Sequence, residues 1–516
     1  MTVIDQSGGA QIRKHPREET AIERWRRFCP IETGEQYVDS LRNRPIDLYM
    51  FGTRLEDPVE HPIVRPSINA LKMTYDLATE DPELATAYSP FIKKRVNRFL
   101  HMPTSPDDLV MKNKMQRRMG QLTGTCFQRC AGLDAFSVLH SITFDIDQKH
   151  NTEYHSRYIE FLKMAQTNNI VMAAGMTDPK GDRSKRPHEQ HDPDLFMHVS
   201  RRTNEGVYVR GAKAHITGGY NSHWIVVMPT MNLSEQDREF AIIGAVPIDA
   251  TGLTFVYGRQ SCDTRATEEG DIDKGNACYS GQETLIVFDD VFIPWEHVFM
   301  DGEYEFAQET VSRFTAYHRS SYVCKTGLGD VITGAAASIA EANGVESVSH
   351  IKDKIVEMVH LNETIYSSGI ASSHEARQLS SGIFINDEML SNICKHNVTR
   401  FPYEISRLVQ DIAGGVMVTL PSDGDFNHEK VGPTLEKYFK GRSDISVEDR
   451  RRILRLIENM TLGRNAVGYL TESMHGAGSP QAQRIQIARG MNIGEKKGLA
   501  KRLAGIAVDE TKQSTR

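Results

Sequence analysis

Trp224-Ile225-Val226-Val227-Met228, Ala241-Ile242-Ile243-Gly244-Ala245-Val246 and Leu253-Thr254-Phe255-Val256-Tyr257 follow one another in the middle of the chain. Each is an apolar run of strand length, and Gly, Pro, Asn and Asp clusters separate them. Val207-Tyr208-Val209 before them and Leu285-Ile286-Val287-Phe288 after them keep the short period, which predicts a compact β-sandwich or barrel from about Val171 to Trp295. Outward on both sides the period lengthens to that of helices. Phe91 to Leu100 places its apolar residues on one helical face, and Tyr158, Phe161, Leu162 and Met164-Ala165 continue the habit. Beyond Asp301, Ile351, Ile355, Met358, Val359 and Leu361 make one stripe, and Ile453, Leu454, Leu456, Ile457 and Met460 another. A turn-rich element from Thr471 to Pro480 precedes a final helix and a polar tail from about Asp509. The fold class read from this order is α+β. An N-terminal extension (1–33) leads into a helical domain (34–168), a central β-domain (169–298) and a C-terminal helical bundle (299–516).

Composition narrows the function classes. The 516 residues carry 61 Lys+Arg against 68 Asp+Glu, a net charge of −7, and no basic stripe of the kind that neutralises nucleic-acid phosphates. No stretch approaches the ~18 to 20 apolar residues that span a bilayer. The first thirty residues lack an apolar signal core, and Glu18, Glu19 and Glu23 argue against a transit peptide, so the cytoplasm is the expected compartment. Seven cysteines, unevenly spaced, do not make a disulfide framework. A chain of this length has room for a deep buried pocket.

Thr125-Cys126-Phe127-Gln128-Arg129-Cys130 sets two thiols at i and i+4 in a stretch that reads as helix, about 40° apart on one face. Alone, such a pair is most often two small core residues. Tyr317-His318-Arg319-Ser320-Ser321-Tyr322-Val323-Cys324-Lys325 adds an imidazole and a third thiol. A Cys3His set admits a closed tetrahedral zinc site or an iron-sulfur cluster with one non-cysteine ligand, and spacing alone does not separate them. The absence of a C-x2-C knuckle beside Cys324 favours the cluster.

The surroundings of these residues resemble the 4-hydroxybutyryl-CoA dehydratase family. The resemblance is carried by Tyr49-Met50-Phe51-Gly52, His61 to Asn69, Cys126 to Cys130, Met176-Thr177-Asp178-Pro179-Lys180-Gly181-Asp182-Arg183 and Gly211 to His215. Gly258 to Arg265, His318 to Lys325 and Thr471 to Gln481 extend it, so that it runs from about Gly34 to Gly505. It implies an acyl-CoA dehydrogenase-like homotetramer holding FAD and a 4Fe-4S cluster. The expected reaction converts 4-hydroxybutyryl-CoA, an acyl-CoA thioester, to crotonyl-CoA, with isomerisation of vinylacetyl-CoA. Carried over, the cluster ligands are Cys126, Cys130, His318 and Cys324. The flavin neighbourhood includes Met176, Lys180, Arg183 and Thr217, while Glu283, Tyr322, Lys325, Gln128 and Glu472 line the reaction centre. One departure stands out. The family pattern places seven residues between histidine and cysteine, whereas His318 and Cys324 are six apart, about 120° out of phase on an unbroken α-helix. Keeping both as ligands requires a bulge or loop between them.

The chemistry accounts for the residue types. The C3 hydrogen of a 4-hydroxyacyl thioester is not activated by the carbonyl, so a base alone is insufficient. Deprotonation at C2, one-electron oxidation of the enolate by flavin, loss of the now acidic C3 proton, expulsion of the 4-hydroxyl and return of the electron form a coherent sequence with no net redox change. Iron acts on the departing hydroxyl as a Lewis acid, and His318, a ligand able to leave iron, is the expected C2 base. Glu472 is the leading alternative base or relay, its other reading being a helix-entry carboxylate. Lys325 and Tyr322 orient the hydroxyl or hold charge, Lys180 and Arg183 suit phosphate recognition, and His215 and His475 stay outside the catalytic set. Two rivals remain at this point: a flavin-dependent hydroxylase of 4-hydroxyphenylacetate-like phenols, which needs no cluster, and a non-catalytic scaffold with structural zinc.

Overall fold

The computed structural model describes Trp25 and residues 28–507. The tail from Asp509 and most of the 1–33 extension lie outside the described residues. Strands β1 (Asp47–Met50), β2 (Thr53–Arg54), β3 (Thr86–Ser89) and β4 (Lys94–Asn97) fall in the first hundred residues. β5 (Met172–Gly175), β6 (His198–Arg202), β7 (Gly206–Thr217), β8 (Trp224–Val227), β9 (Ile242–Pro247), β10 (Leu253–Tyr257), β11 (Glu283–Pro294) and β12 (Val298–Asp301) follow. They build a six-stranded sheet in the order β2-β1-β10-β11-β7-β6 and a four-stranded sheet in the order β12-β9-β8-β5. Both are open, so among the described residues there is no closed barrel. Every apolar run read as a strand is one. The six-stranded sheet also takes β1 from the N-terminal segment, paired parallel to β10 with Leu48 opposite Phe255.

Before the sheets come α1 (Arg65–Glu80), α2 (Pro106–Thr123), α3 (Cys130–His150) and α4 (Tyr154–Asn168). After them come α5 (Ala307–Ser321), α6 (Cys324–Ala342), α7 (Ser349–His374), α8 (Glu388–Val398), α9 (Phe401–Ala413), α10 (Val447–Thr461) and α11 (Pro480–Gly490). This is the helical, β, helical order expected of the acyl-CoA dehydrogenase-like class.

Two local readings are corrected. Phe91 to Leu100 is not a helix: β3 and β4 form an antiparallel hairpin with Ala87 opposite Val96, followed by a 3₁₀ turn at Arg98–Leu100. Pro90 disfavours the helical conformation at Ser89, and Lys93 closes the turn at φ 55°. Nor does the Cys126 segment continue a helix. Ser105 caps the start of α2, and Gly124, left-handed at φ 59°, ends it by donating to the Gly120 carbonyl. Thr125 to Arg129 is therefore a connection, with Gln128 at φ 65°.

One apolar core runs through the N-terminal helices and both sheets and includes Cys130 and Cys324. A second, built from Leu328, Ile332, Ile339, Ile405, Val409, Leu454 and Ile457, fills the C-terminal bundle. The chain passes from one to the other within a single turn of α6, between Cys324 and Leu328. Tyr322, Val323, Ile365, Cys394 and Val398 form a small cluster of their own.

Candidate active site

Two of the three motif cysteines open helices. Cys130 is the first residue of α3 and Cys324 the first of α6, positions where unpaired backbone N–H groups and the helix dipole favour a thiolate. Cys126 lies in the connection before α3. All three are buried free thiols, and Cys130 interacts electrostatically with both others. Burial pushes their pKa values up, Cys324 to about 11, while the neighbouring Lys325 ammonium pulls the other way.

Half of the phase offset that the six-residue spacing creates is removed at the junction of α5 and α6. Val323, Lys325 and Thr326 each donate to the carbonyl three residues back, so the turn is tightened to 3₁₀ geometry. Three α-helical steps of about 100° and three of about 120° bring Cys324 to within about 60° of the His318 face, half the offset of an unbroken helix.

His318 is held from behind. Its Nδ1 is 2.8 Å from Oδ2 of Asp134, which also accepts from Ser321 Oγ at 2.9 Å. Asp134 Oδ1 accepts from Lys112 Nζ at 3.1 Å. Asp134 is fully buried. Burial works against its charge, but Lys112, His318 and Ser321 outweigh it and hold the carboxyl below its ordinary range. Asp134 stands one helical turn after Cys130, so α3 presents a thiol and the carboxylate that orients the imidazole on the same face. His318 joins the thiols through Asp134 and through Tyr322, whose ring lies 5.3 Å from the imidazole and whose phenol interacts with all three thiols.

The remaining expected residues divide between this pocket and its margins. Lys325 Nζ donates to Glu472 Oε2 at 3.1 Å. Burial opposes the ammonium, but Glu472 and the thiols of Cys324 and Cys126 more than compensate and raise Lys325. Glu283, at the start of β11, accepts from Thr217 Oγ1 at 2.6 Å; burial and then the nearby Glu472 push it well above the usual carboxylate range. Gln128 braces the Cys126 connection. Its amide donates to the carbonyls of Ser67 at 2.9 Å and Ser280 at 3.2 Å, and its oxygen accepts from Asn221 at 2.8 Å. Met176 is buried, and its carbonyl accepts from Lys213 Nζ at 3.1 Å, which also holds Asp178 at 2.6 Å. Lys180 and Arg183 are exposed on the loop that follows. Among the described residues, no three His, Cys, Asp or Glu side chains stand close enough together to grip a single metal ion. A cleft of about 590 Å³ between Trp25, Phe161, Trp224 and His297 contains none of these groups.

Asp134, Lys112 and Lys395 are site neighbours that sequence reasoning missed. Asp134 had one signal, its place four residues after Cys130. Lys112 and Lys395 had none, because their partners are distant in the chain.

Comparison with known proteins gives the family of the chain. Models of the N-terminal and C-terminal parts of 4-hydroxyphenylacetate 3-hydroxylase match residues 33–300 and 307–505. The 4-hydroxybutyryl-CoA dehydratase/vinylacetyl-CoA-Delta-isomerase of Clostridium aminobutyricum is 53% identical over 489 residues, 92% of this chain and 100% of the relative. A solved structure of an oxygen tolerant archaeal 4-hydroxybutyryl-CoA dehydratase from N. maritimus matches with a TM-score of 0.92 at 64% identity, covering 93% of this chain and 96% of that one. The oxygenase component of 4-hydroxyphenylacetate 3-monooxygenase, solved with FAD, shares the fold at a TM-score of 0.79 and 22% identity, over 92% of this chain and 98% of its own. The chain therefore belongs to the 4-hydroxybutyryl-CoA dehydratase family, within the broader family of the 4-hydroxyphenylacetate 3-hydroxylases.

Proposed function

We propose that this protein dehydrates 4-hydroxybutyryl-CoA to crotonyl-CoA and isomerises vinylacetyl-CoA to crotonyl-CoA, as a cytoplasmic homotetramer with FAD and a 4Fe-4S cluster. The observation that carries the reading is one buried cluster of three free thiols with the Glu283, Lys325 and Glu472 side chains, bordered by Tyr322, against whose ring the aspartate-held His318 imidazole packs. The full-length dehydratase relatives favour it over phenol hydroxylation, whose representatives share little more than the fold. Among the described residues no helix is long and apolar enough to cross a membrane.

The donor set fits a cluster by its chemistry. Thiolates are the ligands such clusters take, Cys130 and Cys324 sit where helix starts favour them, and a spread of donors too wide for one ion suits a group with several irons. Cys126, Cys130, Cys324 and His318 would hold the cluster, which supplies a Lewis acid to the departing hydroxyl. Met176, Lys180, Arg183 and Thr217 would hold FAD, which supplies a one-electron acceptor that returns the electron within the cycle.

The chain's own residues manage the protons. With Nδ1 tied to Asp134, His318 works through Nε2 and takes the C2 proton of the thioester. Glu283, pushed well above the usual carboxylate range by burial and by Glu472, is the candidate acid of the site and accepts from Thr217. Glu472 is the second base or relay, and Lys325 keeps its ammonium beside it, compensating negative charge as the proton moves. Tyr322 fills the space between them, and Gln128 keeps the backbone around Cys126 in place.

Protein purified without oxygen, assayed with 4-hydroxybutyryl-CoA while crotonyl-CoA, iron and acid-labile sulfide are followed, tests the proposal. Turnover together with about four irons per chain is the expected result. Hydroxylation of 4-hydroxyphenylacetate without thioester turnover would replace the reaction, and a colourless zinc-loaded sample would replace the cofactors. The variant His318→Cys should keep iron and lose dehydration by more than about 100-fold; near-normal turnover removes His318 as the base.

A further inference from the structure

The stretch from Thr471 to Pro480, read from the sequence as turn-rich, is helical as far as His475 and turns only at Gly476 to Gly478; this helix end with its turn is gripped by two buried cations that no step above uses. Lys395, fully buried on α8, donates from Nζ to the carbonyl of Ser473 and lies 4.3 Å from the centroid of the Tyr322 ring. Arg319, buried on α5 beside His318, donates from Nε to the carbonyl of Ala477 at 3.0 Å and from Nη1 to Asn392 Oδ1 at 2.5 Å. Asn392 and Lys395 are three residues apart and share one face of α8. Two cations on two helices thus read two carbonyls of this helix end and its turn.

The turn needs outside support. Ala477 and Gly478 have φ of 53° and 96°, and a left-handed alanine persists only where its surroundings hold it. Past the end of the helical stretch that closes at His475, the chain is tied by Gly476 N donating to Glu472 O at 2.7 Å and Gly478 N to His475 O at 3.1 Å, while Ser473 Oγ donates to Gly468 O at 2.8 Å. Gly476 lies so close to Tyr322 that a Cβ there would stand 1.8 Å from the phenol oxygen. Putting an ammonium in so dry a place is unfavourable unless its geometry is used, and here it meets the residue that directly follows Glu472.

We propose that Lys395 and Arg319 clamp this turn, and that Lys395 is a positioning residue that sets the reach of the Glu472 carboxylate toward Lys325. The proposal rests on the reading of Glu472 as a working base or relay. It ties the two candidate bases together as well, because Arg319 extends from the helix that carries His318 to the far end of the turn.

The test is Lys395→Met in the loaded enzyme, alone and combined with Glu472→Gln. A misplaced catalytic group commonly costs about 100-fold. The single variant should lose about 10- to 100-fold in kcat with less than about threefold change in KM and unaltered iron and flavin content. In the Glu472→Gln background the same change should cost less than about twofold, because residues acting through one another are not additive. Full additivity, or wild-type kcat in the single variant, overturns the clamp. Hydrogen exchange gives a readout independent of catalysis: amides of residues 472–478 should exchange faster in Lys395→Met while those of the sheets do not, and unchanged exchange in that turn overturns the clamp whatever Glu472 does. Wild-type turnover in Glu472→Gln would instead sink the role of Glu472 and leave the clamp to be decided by exchange. If Lys395→Met does not fold, Asn392→Ala, which removes the brace of Arg319, is carried through the same measurements with the same two outcomes.

Discussion

Lys325 and Lys395 flank the same phenol ring, 5.6 and 4.3 Å from its centroid, and both are buried. Their surroundings drive them in opposite directions. Lys325 faces Glu472 and two thiols and is raised; Lys395 is pulled down to about 7, because burial outweighs what Glu472 returns. The thiol wall of the pocket is therefore built to hold charge, with positive and negative groups in contact. The turn wall holds shape, through carbonyls and an aromatic face. Tyr322 borders both walls, with the charge-holding lysine and the shape-holding one against the same ring.

Changes on the thiol wall should break this comparison most severely. Cys130→Ser or Cys324→Ser should bring iron to background and abolish dehydration, since cluster ligation requires the thiolates; retained iron in either variant would remove that residue from the ligand set. Glu472→Gln, at the boundary between the walls, should cost more than about 100-fold in kcat, checked by steady-state turnover. Asp134→Asn leaves the His318 imidazole without its charged partner, and orienting groups of this kind are worth about 10- to 100-fold in metal affinity or activity. Iron retention during dialysis against a chelator measures that effect directly.

Smaller effects sharpen the contrast on the turn wall. Gly476→Ala forces the turn off the phenol oxygen, and turnover should fall about tenfold; the double variant with Tyr322→Phe, which removes that oxygen, should recover the thermal midpoint lost by the single one. Lys395 also makes stability depend on pH, and the sign follows from its depressed folded-state value. Below about pH 7 the lysine is charged in both folded and unfolded chains, and the burial penalty is complete. As pH rises from about 7 toward the ordinary lysine value near 10.4, the unfolded chain binds more protons than the folded one and stability is regained. Lys395→Met should therefore be more stable relative to wild type at pH 7 than at pH 10, by a few degrees in Tm.

The central strands were legible because each is a continuous apolar run bounded by turn residues, and Leu253–Tyr257 is read to the residue. Phe91 to Leu100 misled because Phe91 and Ile92 in the hairpin turn and the continuously buried run from Val96 to Leu100 happen to fall at helical spacing, and Pro90 was the local clue. The four residues of β1 carry no message of their own; their partner is β10, far along the chain. At the site, Cys126, Cys130, His318 and Cys324 stood out as residue types with a chemistry and a motif. Asp134 did not, because its one signal, the place four residues after Cys130, gains meaning only when α5 is packed against it. Lys395 is harder still. It follows Ile393 and Cys394 in a helix of ordinary composition, and only the arrival of Ser473 from elsewhere gives its ammonium a partner.

The parallel pairing of β1 with β10 orders events during synthesis. At about 5–20 residues per second, β1 waits roughly 10 to 40 s for a partner that emerges about 200 residues later. The Glu472 turn, made last among the pocket walls, arrives about as long again after β10. The nascent chain therefore passes through a stage in which Cys126, Cys130, His318 and Cys324 already exist but the wall opposite them does not.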